Sequence, residues 1–180
     1  CDIPVLGVLE SAAQEAASAT KNGKIGVIGT NATISSGSYE RLLKKLLPQA
    51  EILSEPCPLF VPLVENGRFR PEDRVARLVA EEYLAPITAF GADTLILGCT
   101  HYPLLKELIS QLTGATLVDP GACAARAAAG CLEERGLLNG RGGATSYYVS
   151  DEIDHFTRLA GYFLDREVTG SVERIAIENY

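Results

Sequence analysis

Thr94-Leu95-Ile96-Leu97-Gly98-Cys99-Thr100-His101-Tyr102-Pro103-Leu104-Leu105 is the stretch around which the chain is organised. A short apolar run ends at a glycine; a cysteine, a threonine and a histidine follow, and the chain then turns helical. Pro103 suits the start of a helix, where its missing N–H loses nothing. Leu104, Leu105, Leu108, Ile109 and Leu112 repeat at helical spacing. Cys99 is therefore expected at the carboxyl end of a buried strand, facing a helix amino terminus, a position that favours negative charge. Open α/β sheets bind ligands outside the carboxyl ends of their strands.

The same alternation extends in both directions. Lys24-Ile25-Gly26-Val27-Ile28-Gly29 reads as a strand too apolar for a solvent-facing edge. Glu51-Ile52-Leu53, Ala115–Asp119, Thr145–Val149 and Val172–Ile177 are further strand candidates. Residues 3–9 read as a buried strand already under way. Between them lie an alanine-rich helix from Ala12 to Thr20, a helix from Ile34 to Leu47 closed by Pro48, and a helix over residues 72–89. The last has Val75, Leu78, Val79 and Tyr83 on one face. Pro120-Gly121 leads into a second alanine-rich helix, Ala122 to Arg135, and Asp151 is expected to cap a helix through Leu164. Pro56-Cys57-Pro58-Leu59-Phe60-Val61-Pro62 carries three prolines and is expected to be irregular. Strands alternating with helices of this length predict a parallel α/β fold.

Composition narrows the function. The 180 residues are 47% hydrophobic, enough for a sizeable core, and carry a formal net charge of −7. A nucleic-acid binder would show a basic stripe instead. No stretch approaches the roughly 20 apolar residues that span a bilayer, and the amino terminus has neither a basic region nor an apolar one of a signal peptide. A cytoplasmic protein is expected. Five cysteines then read as free thiols. The chain contains no methionine and opens at Cys1, so residue 1 is not a translation start; either longer upstream sequence or ordinary removal of an initiator Met or a tag is expected.

Cys99-Thr100-His101 offers a thiol nucleophile or a thiolate base, a hydroxyl and an imidazole at one strand-to-helix turn. The residues alone leave nucleophile and base both open, and a buried structural cysteine beside a capping threonine is the plain reading beside them. Gly29-Thr30-Asn31-Ala32-Thr33 sits at a similar turn. It reads either as a carboxylate or phosphate cradle or as an ordinary helix cap, and it lacks the Gly-Lys-Ser or Gly-Lys-Thr of a P-loop. Glu65, ahead of a turn at Asn66-Gly67, reads as a solvated surface residue. Cys57, Cys123 and Cys131 read as structural. A zinc site from Cys57, Cys99 and His101 has no Cys-x-x-Cys pair to support it, and His155 has no sequence partner.

Gly98-Cys99-Thr100-His101-Tyr102-Pro103-Leu104 closely resembles the second active-site signature of the glutamate racemases, within the cofactor-independent Asp/Glu racemase superfamily. The resemblance runs along essentially the whole chain. It takes in Ile3–Val8, Ile25–Thr30 with Thr33, Cys57-Pro58-Leu59 with Val61-Pro62 and Glu65, and Gly136-Leu137-Leu138. In that family two cysteines face each other across the substrate α-carbon: one thiolate removes the α-proton and the opposite thiol delivers one to the other face, without pyridoxal phosphate. The resemblance implies that Cys99 is the second of these cysteines and that His101 assists it. It makes Thr100 a substrate-binding residue, with Thr30 and Thr33 a pair near the substrate or the domain cleft and Glu65 an auxiliary acid. It implies no cofactor and no metal, glutamate as the small-molecule substrate, D-glutamate supplied to peptidoglycan, and a homodimer as an admissible assembly.

The sequence also departs from the family. The first cysteine's Cys-Asn-Thr motif, the Asp-Ser-Gly loop and the Tyr-Gly loop do not occur in it. By analogy, residues 1–118 are a parallel-sheet three-layer α/β domain carrying Cys99, and residues 119–180 belong to an incomplete second α/β domain that exposes apolar surface. The chain alone is expected not to racemise. Aspartate racemisation is the nearest alternative activity, and a non-catalytic module binding a small anion or a partner is the alternative of a different class.

Overall fold

Lys24–Gly29 (β1) is buried almost throughout because both of its faces are covered and both of its edges are paired. In the computed structural model, which describes residues 3–168 and 171–177, the chain forms two units, Cys1–Leu137 and Leu138–Tyr180. The first holds a parallel sheet in the order β2-β1-β3-β4, with β2 at Glu51–Pro56, β3 at Thr94–Gly98 and β4 at Thr116–Val118. The chain steps outward from β1 to β2, returns past β1 to β3, and then continues to β4. Connections after β1 and after β3 thus diverge, and the crevice outside their carboxyl ends is the sheet's switch point.

Helices cover the sheet on two sides. On one, α1 (Val8–Ala19) packs against α3 (Ser38–Leu46) and α7 (Pro120–Glu134). Ala12, Ala13 and Ala16 meet Ile25, Val27, Ile96 and Val118 there, together with Tyr39 and Leu43. On the other, α5 (Arg74–Phe90) packs against α6 (Lys106–Thr113) and over the strands, its Ile87 close above Gly26 and Leu95. The expected parallel three-layer α/β arrangement is what forms.

Several local readings are corrected. Ile3, Val5 and Leu6 are exposed and make no strand, since β2 and β4 hold the sheet edges and α1 starts at Val8. The helix expected over 34–47 is two: α2 (Asn31–Ser35), a break at Gly37 with φ +61°, and α3. A left-handed residue cannot continue an α-helix, and glycine takes that conformation without a Cβ penalty. The proline-rich segment is not wholly irregular. Pro56 ends an edge strand, and Phe60–Glu65 forms the short helix α4 with Pro62 in its first turn, where no intrahelical N–H is needed. The buried face of α5 is Ala76, Ala80, Leu84 and Ile87, while Val75 and Leu78 are exposed, because small residues allow close approach to the sheet.

The second unit contains β5 (Tyr147–Val149) and β6 (Val172–Arg174), paired in parallel, with α8 (Ile153–Leu164) between them in sequence. Both strands are shorter than the sequence suggests. The cap of α8 is Glu152 rather than Asp151, whose carboxylate instead accepts a hydrogen bond from the Glu152 N–H. Tyr148, Ile153, Phe163, Leu164 and Ile177 are substantially exposed. Among the described residues no helix is long and apolar enough to cross a membrane. Cys1 lies outside the described residues.

Candidate functional site

The site begins with two glycines side by side. Gly29 and Gly98 are register partners at the carboxyl ends of β1 and β3. A Cβ on Gly98 would stand 2.7 Å from the Ile28 carbonyl oxygen and 3.2 Å from the Tyr39 ring, and one on Gly29 would crowd Thr33. The bare backbone therefore lets α2 and α3 close down on the strand ends. Above it lies a cavity of about 450 Å³, lined by Thr33, Tyr39, Gly98, Cys99, Thr100 and Asp119 among others. Among the described residues Cys99 is the one cysteine lining it.

A tight turn presents the thiol. The Cys99 N–H donates to the Leu97 carbonyl at 2.8 Å, and the Cys99 carbonyl accepts from the Tyr102 N–H at 3.2 Å. The turn folds His101 back so that its Nδ1 lies 4.0 Å from the Cys99 Sγ and 3.3 Å from the Thr100 Oγ1. Its Nε2 lies 3.3 Å from the Glu65 Oε1. A carboxylate at Nε2 fixes the ring orientation and favours a proton on that nitrogen, leaving Nδ1 to exchange a proton with the thiol or hydroxyl. Glu65, Cys99, Thr100 and His101 are thus one connected set. Glu65 does not read out as a merely solvated residue; its partner is distant in sequence, so no local pattern reveals it.

Two buried aromatic rings hold that set together. Tyr102 is wholly buried, donates its hydroxyl to the Cys57 carbonyl at 2.8 Å, and packs edge-to-face on Phe60 at 5.2 Å between centroids. Phe60 packs likewise on Tyr83 of α5 at 5.4 Å. The Cys57 N–H is tied to the Gly29 carbonyl at 2.8 Å. So α4, which ends in Glu65, is clamped between the end of β1 and the turn that carries His101.

The threonine pair has a capping geometry. Thr30 Oγ1 accepts from the Thr33 N–H at 3.2 Å and sits 3.0 Å from the Thr33 Oγ1. Thr33 lines the cavity and Thr30 supports it from behind. Cys57 and Cys123 are buried, and burial pushes both thiols up, Cys57 to about 12 with the Glu55 carboxylate adding. Cys131 lies on α7. No three histidine, cysteine, aspartate or glutamate side chains gather at metal-binding distances among the described residues, so Cys57, Cys99 and His101 do not form the zinc cluster considered from the sequence. His155 lies in the second unit, 3.2 Å from an Arg158 guanidinium nitrogen. Sequence reasoning missed Tyr39 and Asp119 as cavity residues. Asp119 follows a short strand and precedes a proline, the same strand-end signal that marks Cys99.

Comparison with known proteins finds relatives over almost the whole chain. Residues 1–128 match the Asp/Glu/Hydantoin racemase family model. The chain is 42% identical over 180 residues to a glutamate racemase of Geobacter metallireducens, which covers 98% of the chain and 66% of the relative. It is 42% identical over 168 residues to one of Neisseria meningitidis, covering 92% and 62%. It superposes on the crystal structure of glutamate racemase isoform RacE1 from Bacillus anthracis with a TM-score of 0.88 at 34% identity, covering 98% of this chain and 66% of that one. The glutamate racemase of Francisella tularensis, solved in complex with D-glutamate, gives 0.88 at 33% identity, with 99% and 66% covered. The chain thus spans about two thirds of the length of these relatives. A family match across more than half of its residues, on the sheet that carries the Cys99 turn, shows that this chain belongs to the Asp/Glu/Hydantoin racemase family.

Proposed function

We propose that the chain carries one half of a two-thiol site for interconverting L- and D-glutamate. The observation that supports this best is the cavity at the sheet's switch point with Cys99 on its wall and the Glu65–His101 pair behind it. The substrate's α-carbon enters the cavity, and the Cys99 thiolate takes the α-proton, breaking C–H and forming S–H. The electron pair passes into the adjoining carboxylate, where hydrogen-bond donors stabilise it. Thr100 and Thr33 are the binding hydroxyls, Thr30 holds Thr33 in place, and His101 with Glu65 returns the thiol to thiolate. No cofactor enters these steps. Inversion requires a second acid on the opposite face of the carbon, and the one cysteine lining the cavity among the described residues is Cys99.

Residues 119–180 are proposed to belong with a further α/β domain; the exposed apolar side chains of the β5–β6 unit support this for residues 138–180, while α7 packs on α1 within the first unit. Residues 1–118 form the Cys99-bearing domain in that reading. D-Glutamate for peptidoglycan, a cytoplasmic location and a homodimeric assembly complete the proposal, resting on the resemblance to the glutamate racemases.

The test is solvent exchange at the α-carbon. In D₂O the 180-residue chain is expected to label one enantiomer of glutamate without changing its optical rotation, and to label aspartate more slowly. Cys99→Ala is expected to abolish labelling. Labelling that survives that substitution would overturn the assignment, and no labelling of either enantiomer would favour a non-catalytic binding module.

A further inference from the structure

We propose that Tyr39 is a ligand-contacting residue whose hydroxyl donates a hydrogen bond to a carboxylate of the amino acid held beside Cys99. The inference rests on the reading of this cavity as an amino-acid site.

Tyr39 lies near the start of α3, and only 5% of it is exposed. Its ring packs in the apolar cluster with Ala12, Ala16 and Leu43 and against the bare face of Gly98. Its hydroxyl has no hydrogen-bond partner among the described residues. Every fully buried side-chain nitrogen and oxygen there does have one, so the Tyr39 hydroxyl keeps part of the side chain's small exposure. The surface that Tyr39 reaches is the cavity that it lines with Cys99 and Thr33. An unpaired hydroxyl at the edge of an apolar core is worth retaining where something else completes it.

The chemistry of that partner follows from the group. Burial pushes the Tyr39 hydroxyl up to about 12, with the Cys123 thiol adding, so at neutral pH it is a donor. The acidic group sharing the cavity wall, Asp119, turns its Oδ1 to the Gly121 and Ala122 N–H groups at 2.9 and 3.2 Å and makes no hydrogen bond with the Tyr39 hydroxyl. What remains to be satisfied is a phenol seeking an acceptor, beside the Thr33 and Thr100 hydroxyls. A substrate carboxylate supplies that acceptor, and a hydrogen bond to a charged group is stronger than one between neutral groups.

The experiment is Tyr39→Phe in the 180-residue chain. D- and L-glutamate are titrated calorimetrically and the thermal midpoint is recorded alongside. With no protein partner lost, the substitution is expected to leave the midpoint unchanged or raise it, while the dissociation constant for the bound enantiomer rises about 3- to 10-fold. A lowered midpoint would give the hydroxyl a structural role and overturn the inference. Unchanged affinity in a variant of unchanged stability would overturn it too, leaving the proposed function intact. If the unsubstituted chain binds neither enantiomer, both readings fall together.

Discussion

Glu65 and His101 come from different connections of the sheet and meet with 3.3 Å between Oε1 and Nε2. The pair is half-exposed, so its value to stability is small, and its effect falls on the orientation of the imidazole toward Cys99. Glu65→Gln keeps the shape and a hydrogen bond but removes the charge. We expect the α-proton exchange rate to fall about 10-fold, less than the roughly 10²–10⁴-fold of a group that moves the proton itself, because Glu65 acts through His101, with the urea midpoint unchanged. Exchange at the original rate would place Glu65 outside the chemistry.

The contrast between these two residues shows what the sequence makes legible. His101 stands two positions from Cys99, and a strand, a glycine and a helix start fix where both lie. Glu65 depends on α4 being clamped by Tyr102 and Phe60, a long-range arrangement with no local signature. The first apolar run, Ile3–Val8, fails for another reason: a buried strand and an unpaired apolar segment have the same composition, and only the sheet's edges decide between them. On α5 two periodic faces compete, and the one with alanines lies inward because the sheet demands close approach. Tyr39 looks like any aromatic on a helix until the cavity is seen.

Tyr102→Phe tests the clamp. The substitution removes one hydroxyl from a fully buried site and leaves the Cys57 carbonyl without that donor. Unfolding free energy is expected to fall by about 1–3 kcal/mol, read from urea denaturation. Exchange at the α-carbon should also slow, since α4 and the His101 turn lose their shared anchor. A loss of stability with no change in exchange would separate the clamp from the site.

Asp93 provides a pH test at the opposite end of the sheet. Burial acts to raise its carboxyl, but the Thr20 hydroxyl, the Asn22 and Lys21 N–H groups and the Thr94 hydroxyl outweigh it and hold the group down to about 2. The folded value lies below the unfolded value near 4, so this stabilisation is fully present above about pH 4 and is lost as pH falls toward 2. Asp93→Asn is expected to lower the urea midpoint at pH 7, with the difference from the original chain shrinking between pH 4 and pH 2. A difference constant across that window would mean that the charge contributes nothing.

Gly98→Ala addresses the floor on which the cavity rests. The added methyl would lie 2.7 Å from the Ile28 carbonyl oxygen, which is backbone in the central strand and cannot swing aside, and 3.2 Å from the Tyr39 ring. Relief requires β3 to separate from β1 or the ring to move into the cavity. Overpacking of this kind costs about 1–3 kcal/mol, so the thermal midpoint should drop by several degrees. The displaced ring would fill space beside Cys99, and glutamate binding should weaken more than the loss of stability alone explains. Gly130→Ala, on the helix α7 with no neighbour in reach of the new methyl, is the matched control. It should leave binding unchanged and, by removing a glycine from a helix interior, raise stability slightly. Equal effects from the two substitutions would show that the close approach at Gly98 plays no part in shaping the site.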